Sequence, residues 1–365
     1  MDLLGLPVRW PIIGAPMAGG PSTPALAAAV SNAGGLGFLA GGYRTAEALG
    51  DEIHELRALT KAPFGVNLFV PQGPTLDELG VTAYLAGLRA EADRFGVDLE
   101  PMWDDDGWQG KIDLLVDESV PVVSFTFGCP APSVVARLRD AGSRVVITVT
   151  TPAEARMAVD AGADAVAGQG IEAGGHQGTF DDGIPLESGL GIAALVPAIR
   201  RSVDVPVIAA GGLMTGAHVA AVVAMGAVAA QVGTALLRSP ESGAHGIHKA
   251  ALIHSGFDGT AMTRAFSGRR ARGLVNRFMR AHPDAPSAYP EINNATRALR
   301  RAALQQGDPH TVNLWAGTGY SRAEDRPAGE IITRMGIEFD GLVRAAVHHA
   351  GAAITPISAP PRTPR

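Results

Sequence analysis

The first two thirds of this chain repeat one unit, a short apolar run followed by a segment rich in Ala, Leu and charged residues. Eight such runs have the length and the β-branched content of buried strands. They lie at residues 12–17, 35–39, 65–69, 122–125, 145–149, 163–168, 205–210 and 228–233. Eight βα units in about 240 residues match the size of a (β/α)8 barrel, whereas a doubly wound sheet more often has fewer strands. The sequence therefore predicts a (β/α)8 TIM barrel.

Helices are expected between these strands, for example at 24–33, 46–59 and 152–161, where Thr151-Pro152 is a typical helix start. Two segments depart from the repeat. Residues 71–110, which contain MWDDDGW, are predicted to be a helical insertion after the third strand. Beyond residue 253 the repeat stops, and helical patterns at 290–304 and 328–350 follow.

These departures define the predicted domains. Residues 1–253 form the barrel with its insertion, and 254–350 form a smaller C-terminal helical subdomain that packs against the barrel mouth and partly returns to the barrel. The Pro-rich residues 351–365 are expected to be a frayed tail.

Composition excludes several classes of protein. Hydrophobic residues make up 46% of the chain and charged residues 18%, which suits a compact α/β protein. The net charge is −6 and no basic stripe is present, so a nucleic-acid partner is not expected. Cys129 is the only cysteine, which excludes an intrachain disulfide and favours a reducing cytoplasm. The N-terminus shows no signal-peptide pattern.

The uncharged stretch 217–237 is long enough to span a membrane, but His218, Gln231 and two glycines interrupt it. We expect a helix followed by a buried strand, and no membrane association.

Glycine loops follow the seventh and eighth predicted strands, at Gly211-Gly212 and Gly233-Thr234. Tight βα turns favour glycine for conformational reasons alone. However, the loops after these two strands are where phosphate sites recur in TIM barrels, because backbone N–H groups and a helix N-terminus converge there. The sequence therefore predicts a phosphorylated ligand, whether a flavin, a nucleotide or a sugar.

Two neutral amides, Asn67 and Gln169, end other predicted strands. They could read the edge of a heteroaromatic ring or cap loop backbone.

The stretch GQGIEAGGHQG, residues 168–178, contains the strongest candidate for catalysis. A histidine side chain ordinarily titrates near neutrality, so His176 is expected to suit proton transfer, and the surrounding glycines would let its loop fold over a flat ligand. We expect Glu172 to bind loop backbone and Cys129 to be a buried apolar residue. His245 and His248 have H-x-x-H spacing without a further ligand motif, so no metal site is predicted.

Several motifs resemble one family, the nitronate monooxygenases, formerly called 2-nitropropane dioxygenases. In addition to GQGIEAGGHQG, they are PIIGAPMAGGPS (11–22), FGVNLF (64–69), AAGGLMTG (209–216), QVGTALLRSPES (231–242), TRAFSGRRARGLVN (263–276) and NLWAGTGY (313–320). The resemblance covers nearly the whole chain. It departs at Val232, where Met or Leu is frequent, and at Cys129 in a loop expected to border the substrate.

The resemblance implies an FMN-dependent enzyme in which a nitronate, such as propionate 3-nitronate, reduces FMN and O2 then yields a carbonyl compound and nitrite. It places FMN contacts on Met17, Asn67, Gln169, Gly174, Gly212, Gln231, Val232, Gly233 and Thr234, and the active-site histidine on His176. It leaves a homodimer open. The alternatives are an FMN-dependent NAD(P)H oxidoreductase of the same barrel type, either a quinone reductase or an enoyl-acyl-carrier-protein reductase, and a flavin-binding protein without turnover.

Overall fold

The computed structural model describes residues 2–254 and 256–353, in which eight parallel strands form a barrel. The strands are β1 (Ile12–Gly14), β2 (Gly37–Ala40), β3 (Phe64–Phe69), β4 (Val122–Thr126), β5 (Arg144–Val149), β6 (Ala165–Gln169), β7 (Val207–Ala210) and β8 (Ala229–Val232). Each pairs with its neighbours in sequence, and β8 pairs with β1 through Ala230 and Ile12. A parallel bridge between Ile13 and Leu36 closes the ring. The predicted TIM barrel is confirmed, with all eight runs as its strands.

Four helices around the barrel begin directly after a threonine that caps them. The hydroxyls of Thr23, Thr45 and Thr215 accept a hydrogen bond from first-turn N–H groups, and Thr151 forms a capping box with Glu154. The helices are Pro24–Asn32, Ala46–Leu59, Glu78–Gly87, Arg89–Phe95, Trp108–Asp117, Pro132–Asp140, Pro152–Asp160, Ile192–Arg200, Gly216–Ala224, Gly246–Ala251, Arg277–Ala281, Glu291–Ala295, Arg297–Gln305 and Ala328–Ala353.

The stretch 217–237 forms a helix and then strand β8, as predicted. Across 2–254 and 256–353, no helix combines the length and the apolar character needed to cross a membrane.

The amino-terminal end of the barrel is filled by side chains. Inward-facing residues of β1, β2, β4 and β7, among them Ile13, Phe38, Val122 and Ile208, form one buried cluster. Leu3, in the hairpin formed by Asp2–Leu3 and Leu6–Pro7, packs into the same cluster. Apolar side chains thus fill this end of the barrel, so a ligand site is expected at the other end, where the carboxyl ends of the strands lie.

The predicted insertion is helical, but it ends three residues earlier than expected. Helices Glu78–Gly87 and Arg89–Phe95 pack against the C-terminal helices Glu291–Ala295 and Arg297–Gln305. A turn at Asp106 and Gly107, both with positive φ (55° and 65°), closes the insertion, and Trp108 already begins the next barrel helix.

The segment after residue 253 is not only helical, so the prediction was incomplete. Thr260–Thr263 pairs antiparallel with Ala271–Leu274, which also pairs with Gly175–His176. Strands of only four residues without alternation of polar and apolar residues cannot be recognised from sequence. The third strand of this sheet, Gly175–His176, also lies about ninety residues earlier in the chain.

The last helix, Ala328–Ala353, packs against Pro24–Asn32 and Gly216–Ala224 and so completes the helical ring around the barrel. Of the predicted tail at 351–365, the first three residues belong to this helix, and 354–365 lie outside the described residues.

Candidate active site

One cavity of about 610 Å³ opens at the carboxyl ends of the barrel strands. Its size is within the range of small-molecule and cofactor sites. Nine of the ten predicted site residues line it: Met17, Asn67, Gln169, Gly174, His176, Gly212, Gln231, Gly233 and Thr234. Val232 does not, because its side chain is 1% exposed and packs into the core between the barrel and its helices.

The glycines of the loop 168–178 mainly serve packing within the protein. A Cβ on Gly174 would lie 2.4 Å from the backbone nitrogen of Gly317, and one on Gly178 would lie 2.7 Å from Cγ2 of Thr148. Similar clashes, all under 3.0 Å, would arise at Gly168 and Gly170. Only Gly175 has open space, and its φ of +76° favours glycine. The prediction that the glycines serve approach to a flat ligand therefore accounts for only part of the loop.

His176 is held at the cavity wall by a strand pair and a ring of aromatic residues. Its backbone pairs with Ala271, and its Nε2 lies 2.8 Å from Oγ of Ser267. The rings of Phe127, Tyr289 and Trp315 surround the imidazole at centroid distances of 5.8, 5.8 and 5.4 Å. The imidazole orientation is therefore fixed without a carboxylate partner.

The environment of His176 favours the neutral imidazole. Burial, followed by the charges of Arg269 and Arg300, lowers the pKa of His176 from 6.5 to about 3. The hydroxyl of Ser267 has a second partner, the carbonyl oxygen of Arg269 at 3.2 Å. If the hydroxyl hydrogen goes to that carbonyl, Ser267 accepts from Nε2–H, and Nδ1 is the basic nitrogen.

This pKa predicts an acid-dependent loss of stability. Below about pH 6.5 the unfolded chain takes up a proton at this side chain, whereas the folded protein does so only near pH 3, so protons favour unfolding across that range. At pH 5 the lowered pKa of His176 reduces the free energy of unfolding by about 2 kcal/mol. On going from pH 7.5 to pH 5, the free energy of unfolding of His176→Gln should therefore rise by about 2 kcal/mol relative to that of the parent, measured by urea unfolding. An unchanged difference between the two proteins would contradict the buried neutral imidazole.

The two predicted amides have different partners. Nδ2 of Asn67 donates to the hydroxyls of Ser124 (2.9 Å) and Thr126 (3.1 Å), which leaves Oδ1 as the acceptor for a ligand. Gln169 clamps its own loop, because Nε2 donates to the carbonyl of His176 (3.0 Å) and Oε1 accepts from N–H of Gly178 (2.7 Å). Gln169 thus lines the cavity and also fixes the backbone of the histidine.

The glycine loops after β7 and β8 meet at one end of the cavity. Gly211 and Gly212 have φ of +127° and +68°, and Thr234 begins a short 3₁₀ turn, Thr234–Leu236. Oγ1 of Thr234 accepts from N–H of Gly317 at 3.0 Å, which joins the motif NLWAGTGY to this corner. Small residues and backbone from three segments therefore form a pocket suited to a phosphate group.

Other residues flagged in the sequence have structural roles. Both carboxylate oxygens of Glu172 accept from N–H of Ile192 (3.0 and 3.1 Å), as expected of a residue that binds backbone. Thr126 and Phe127, just before Cys129, line the cavity, whereas Cys129 itself does not, and burial raises the pKa of its thiol to about 11. His245 and His248 line the cavity, and Nε2 of His248 lies 2.9 Å from the carbonyl of Trp315. No group of metal ligands occurs in the part of the chain that the structure describes.

Several wall residues were missed because they come from distant segments. Tyr43 follows β2, whereas Trp315 and Arg300 belong to the C-terminal part of the chain. The guanidinium of Arg269, 2% exposed, lies 3.9 Å from the ring centre of Phe127. The run SGRRARG was the available signal, since it clusters three arginines, and the structure buries all three.

Comparisons with known proteins agree on one family. A family model described as nitronate monooxygenase matches residues 4–337. Probable nitronate monooxygenases from Staphylococcus aureus (strain MSSA476) and Bacillus subtilis (strain 168) are 39% and 40% identical to this chain, over 90% and 89% of it and 94% of each relative.

Among solved structures, a nitroalkane oxidase from Streptomyces ansochromogenes is 49% identical with a TM-score of 0.91, covering 93% of this chain and 98% of that one. FabK from Thermotoga maritima is 31% identical with a TM-score of 0.71, covering 94% of this chain and 96% of that one.

Proposed function

This chain belongs to the nitronate monooxygenase family of oxidoreductases, and we propose that it oxidises alkyl nitronates such as propionate 3-nitronate, with FMN and O2, to carbonyl compounds and nitrite. The observation that supports this most is the position of the His176 imidazole, held by Ser267 and three aromatic rings, in the same cavity as the two glycine loops. One cavity thus combines a proton acceptor with a phosphate pocket. We further propose that the enzyme acts in the cytoplasm, in line with its single cysteine.

The residues present fit FMN. The glycine loops at Gly211-Gly212 and Gly233-Thr234 would hold the phosphate, and the free acceptor of Asn67 and the amide of Gln231 would contact the isoalloxazine ring. The first of these loops requires glycine, because Gly211 and Gly212 have φ of +127° and +68°, which bring their backbone to the cavity. Bound FMN supplies the electron transfer that amino-acid side chains cannot provide.

The protein contributes orientation and one proton site. Nδ1 of His176 would take the α-proton of a neutral nitroalkane, and for a substrate that arrives as the nitronate the imidazole would position the anion. In the tautomer in which the Ser267 hydroxyl donates to the carbonyl of Arg269 and accepts from Nε2–H, Nδ1 is the free proton acceptor. The aromatic wall around the imidazole keeps water away from the reacting carbon.

We expect the purified protein to contain FMN and to produce nitrite from propionate 3-nitronate while consuming O2. Nitrite assay together with an oxygen electrode measures both. The same preparation is tested with NADH or NADPH and a quinone, and with an enoyl thioester. Turnover with a reduced nicotinamide and no nitrite from any nitronate would replace the proposal with the reductase alternative.

A further inference from the structure

The acidic turn in MWDDDGW fixes a strained tyrosine at the cavity. Tyr43, which lines the cavity, has a φ of +66°, a region that side-chain-bearing residues rarely occupy. Its N–H donates to Oδ1 of Asp106 at 2.9 Å, and Oδ2 of Asp106 lies 2.8 Å from Nζ of Lys111, whose side chain is 2% exposed. An ion pair between buried Lys111 and partly buried Asp106 thus holds the tyrosine in a costly conformation, which is typical of functional sites.

The hydroxyl of Tyr43 remains available as a donor. Oη of Tyr289 donates to Oη of Tyr43 at 3.2 Å, so the hydrogen of Tyr43 is not used in that bond. Tyr289 also contacts the ring of His176. Burial raises the pKa of Tyr43, which keeps the phenol protonated at neutral pH.

The same turn supports an arginine at the cavity wall. Oδ2 of Asp104 accepts from Nδ2 of Asn294 at 2.8 Å, and the neighbouring Asn293 accepts two bonds from Nη2 of Arg300, at 2.8 and 2.9 Å. Arg300 lines the cavity, and throughout 2–254 and 256–353 no carboxylate forms an ion pair with it. Burial lowers its pKa to about 10, so it is a cation at neutral pH. A partly buried cation at the cavity wall with only neutral partners is favourable to an anionic ligand.

We propose that Oη of Tyr43 and the guanidinium of Arg300 bind the two oxygens of the substrate's nitronate group beside His176, with the acidic turn 104–106 as their scaffold. This inference rests on the proposed function for the identity of the substrate. Asn293 engages Nη2 of Arg300, so Nη1 is the charged donor for one oxygen, and the phenol of Tyr43 is a neutral donor for the other. The function of the insertion at 71–110 is then to position the Tyr43 hydroxyl and the Arg300 guanidinium through its last turn, 104–106.

Nitrite, the small anion that shares this O–N–O geometry, is the probe. Tyr43→Phe should raise the Kd for nitrite, measured by calorimetry on the purified protein, and the KM for propionate 3-nitronate by about 10-fold or more, with kcat changed less. Tyr84→Phe is the matched control: its hydroxyl donates to the carbonyl of Ala265 at 2.6 Å, it does not line the cavity, and it should leave both constants unchanged.

Asp106→Ala tests the scaffold. It should raise the nitrite Kd in the parent background and have little further effect in a Tyr43→Phe background, because Asp106 acts through Tyr43. If Asp106→Ala acted only by destabilising the fold, it would raise the nitrite Kd by a similar factor in both backgrounds.

Three results separate the possibilities. If Tyr43→Phe leaves the nitrite Kd and the KM unchanged, or if the parent does not bind nitrite at millimolar concentration, the subsite is overturned. If nitrite binding weakens in the variant but no nitronate is oxidised by the parent, the anion subsite stands and the proposed function fails.

Discussion

Replacement of His176 by Gln is expected to reduce turnover of a neutral nitroalkane by about 10²- to 10⁴-fold, the usual contribution of general base catalysis. Gln keeps a hydrogen-bonding group of similar reach toward Ser267 but cannot accept the α-proton. The FMN content should remain that of the parent, because the proposed phosphate pocket is formed by other loops. Steady-state kinetics and the visible spectrum measure the two quantities.

His248→Gln is the control for this substitution. His248 lines the same cavity and is also partly buried, and desolvation lowers its pKa to about 4, but its Nε2 is engaged by the carbonyl of Trp315. Its turnover should change by less than about tenfold. Parent-level activity in His176→Gln would remove His176 from the mechanism, whereas equal losses in both variants would indicate damage to the cavity as a whole.

Gly174→Ala is expected to destabilise the protein by about 3 kcal/mol, at the upper end for an overpacked site. The added Cβ would lie 2.4 Å from N of Gly317 and 2.5 Å from C of Ala316, and backbone atoms cannot rotate away as a side chain can. The displaced segment includes the bond between Gly317 and Thr234, so FMN affinity should fall as well. Thermal unfolding and retention of the flavin through gel filtration measure these effects.

Gly73→Ala provides the matched comparison. Nothing lies within 4 Å of a Cβ at Gly73, and its φ is not positive, so its melting temperature should stay close to that of the parent. A Gly174→Ala protein as stable as Gly73→Ala would show that the loop tolerates a side chain, and that its glycines serve something other than packing.

The barrel could be predicted from sequence because each strand is an apolar run with a helix pattern after it. Both signals are local, and Thr and Pro mark the helix starts. The sheet formed by Thr260–Thr263, Ala271–Leu274 and Gly175–His176 could not be predicted in the same way, because distant tertiary pairing rather than periodicity makes these residues strands.

The same difference between local and distant signals separates the site residues that were predicted from those that were not. His176, Asn67 and the glycine loops were found because they follow predicted strands, whose carboxyl ends meet in a barrel. Tyr43 and Arg300 were missed because an insertion turn and a C-terminal helix position them, and no sequence period connects those segments. The loop 168–178 lies at the cavity as predicted. Most of its glycines, however, are required by packing within the protein rather than by a ligand, as at Gly174, which packs on residues 316–317.

Anaerobic reduction of the purified, FMN-loaded protein in a stopped-flow spectrometer distinguishes nitronate oxidation from nicotinamide-dependent reduction. Propionate 3-nitronate and NADH are mixed with it in separate experiments, and flavin absorbance is followed. We predict rapid loss of oxidised-flavin absorbance with the nitronate and none with NADH on the same timescale. Fast bleaching by NADH without any response to nitronates would contradict the proposed function.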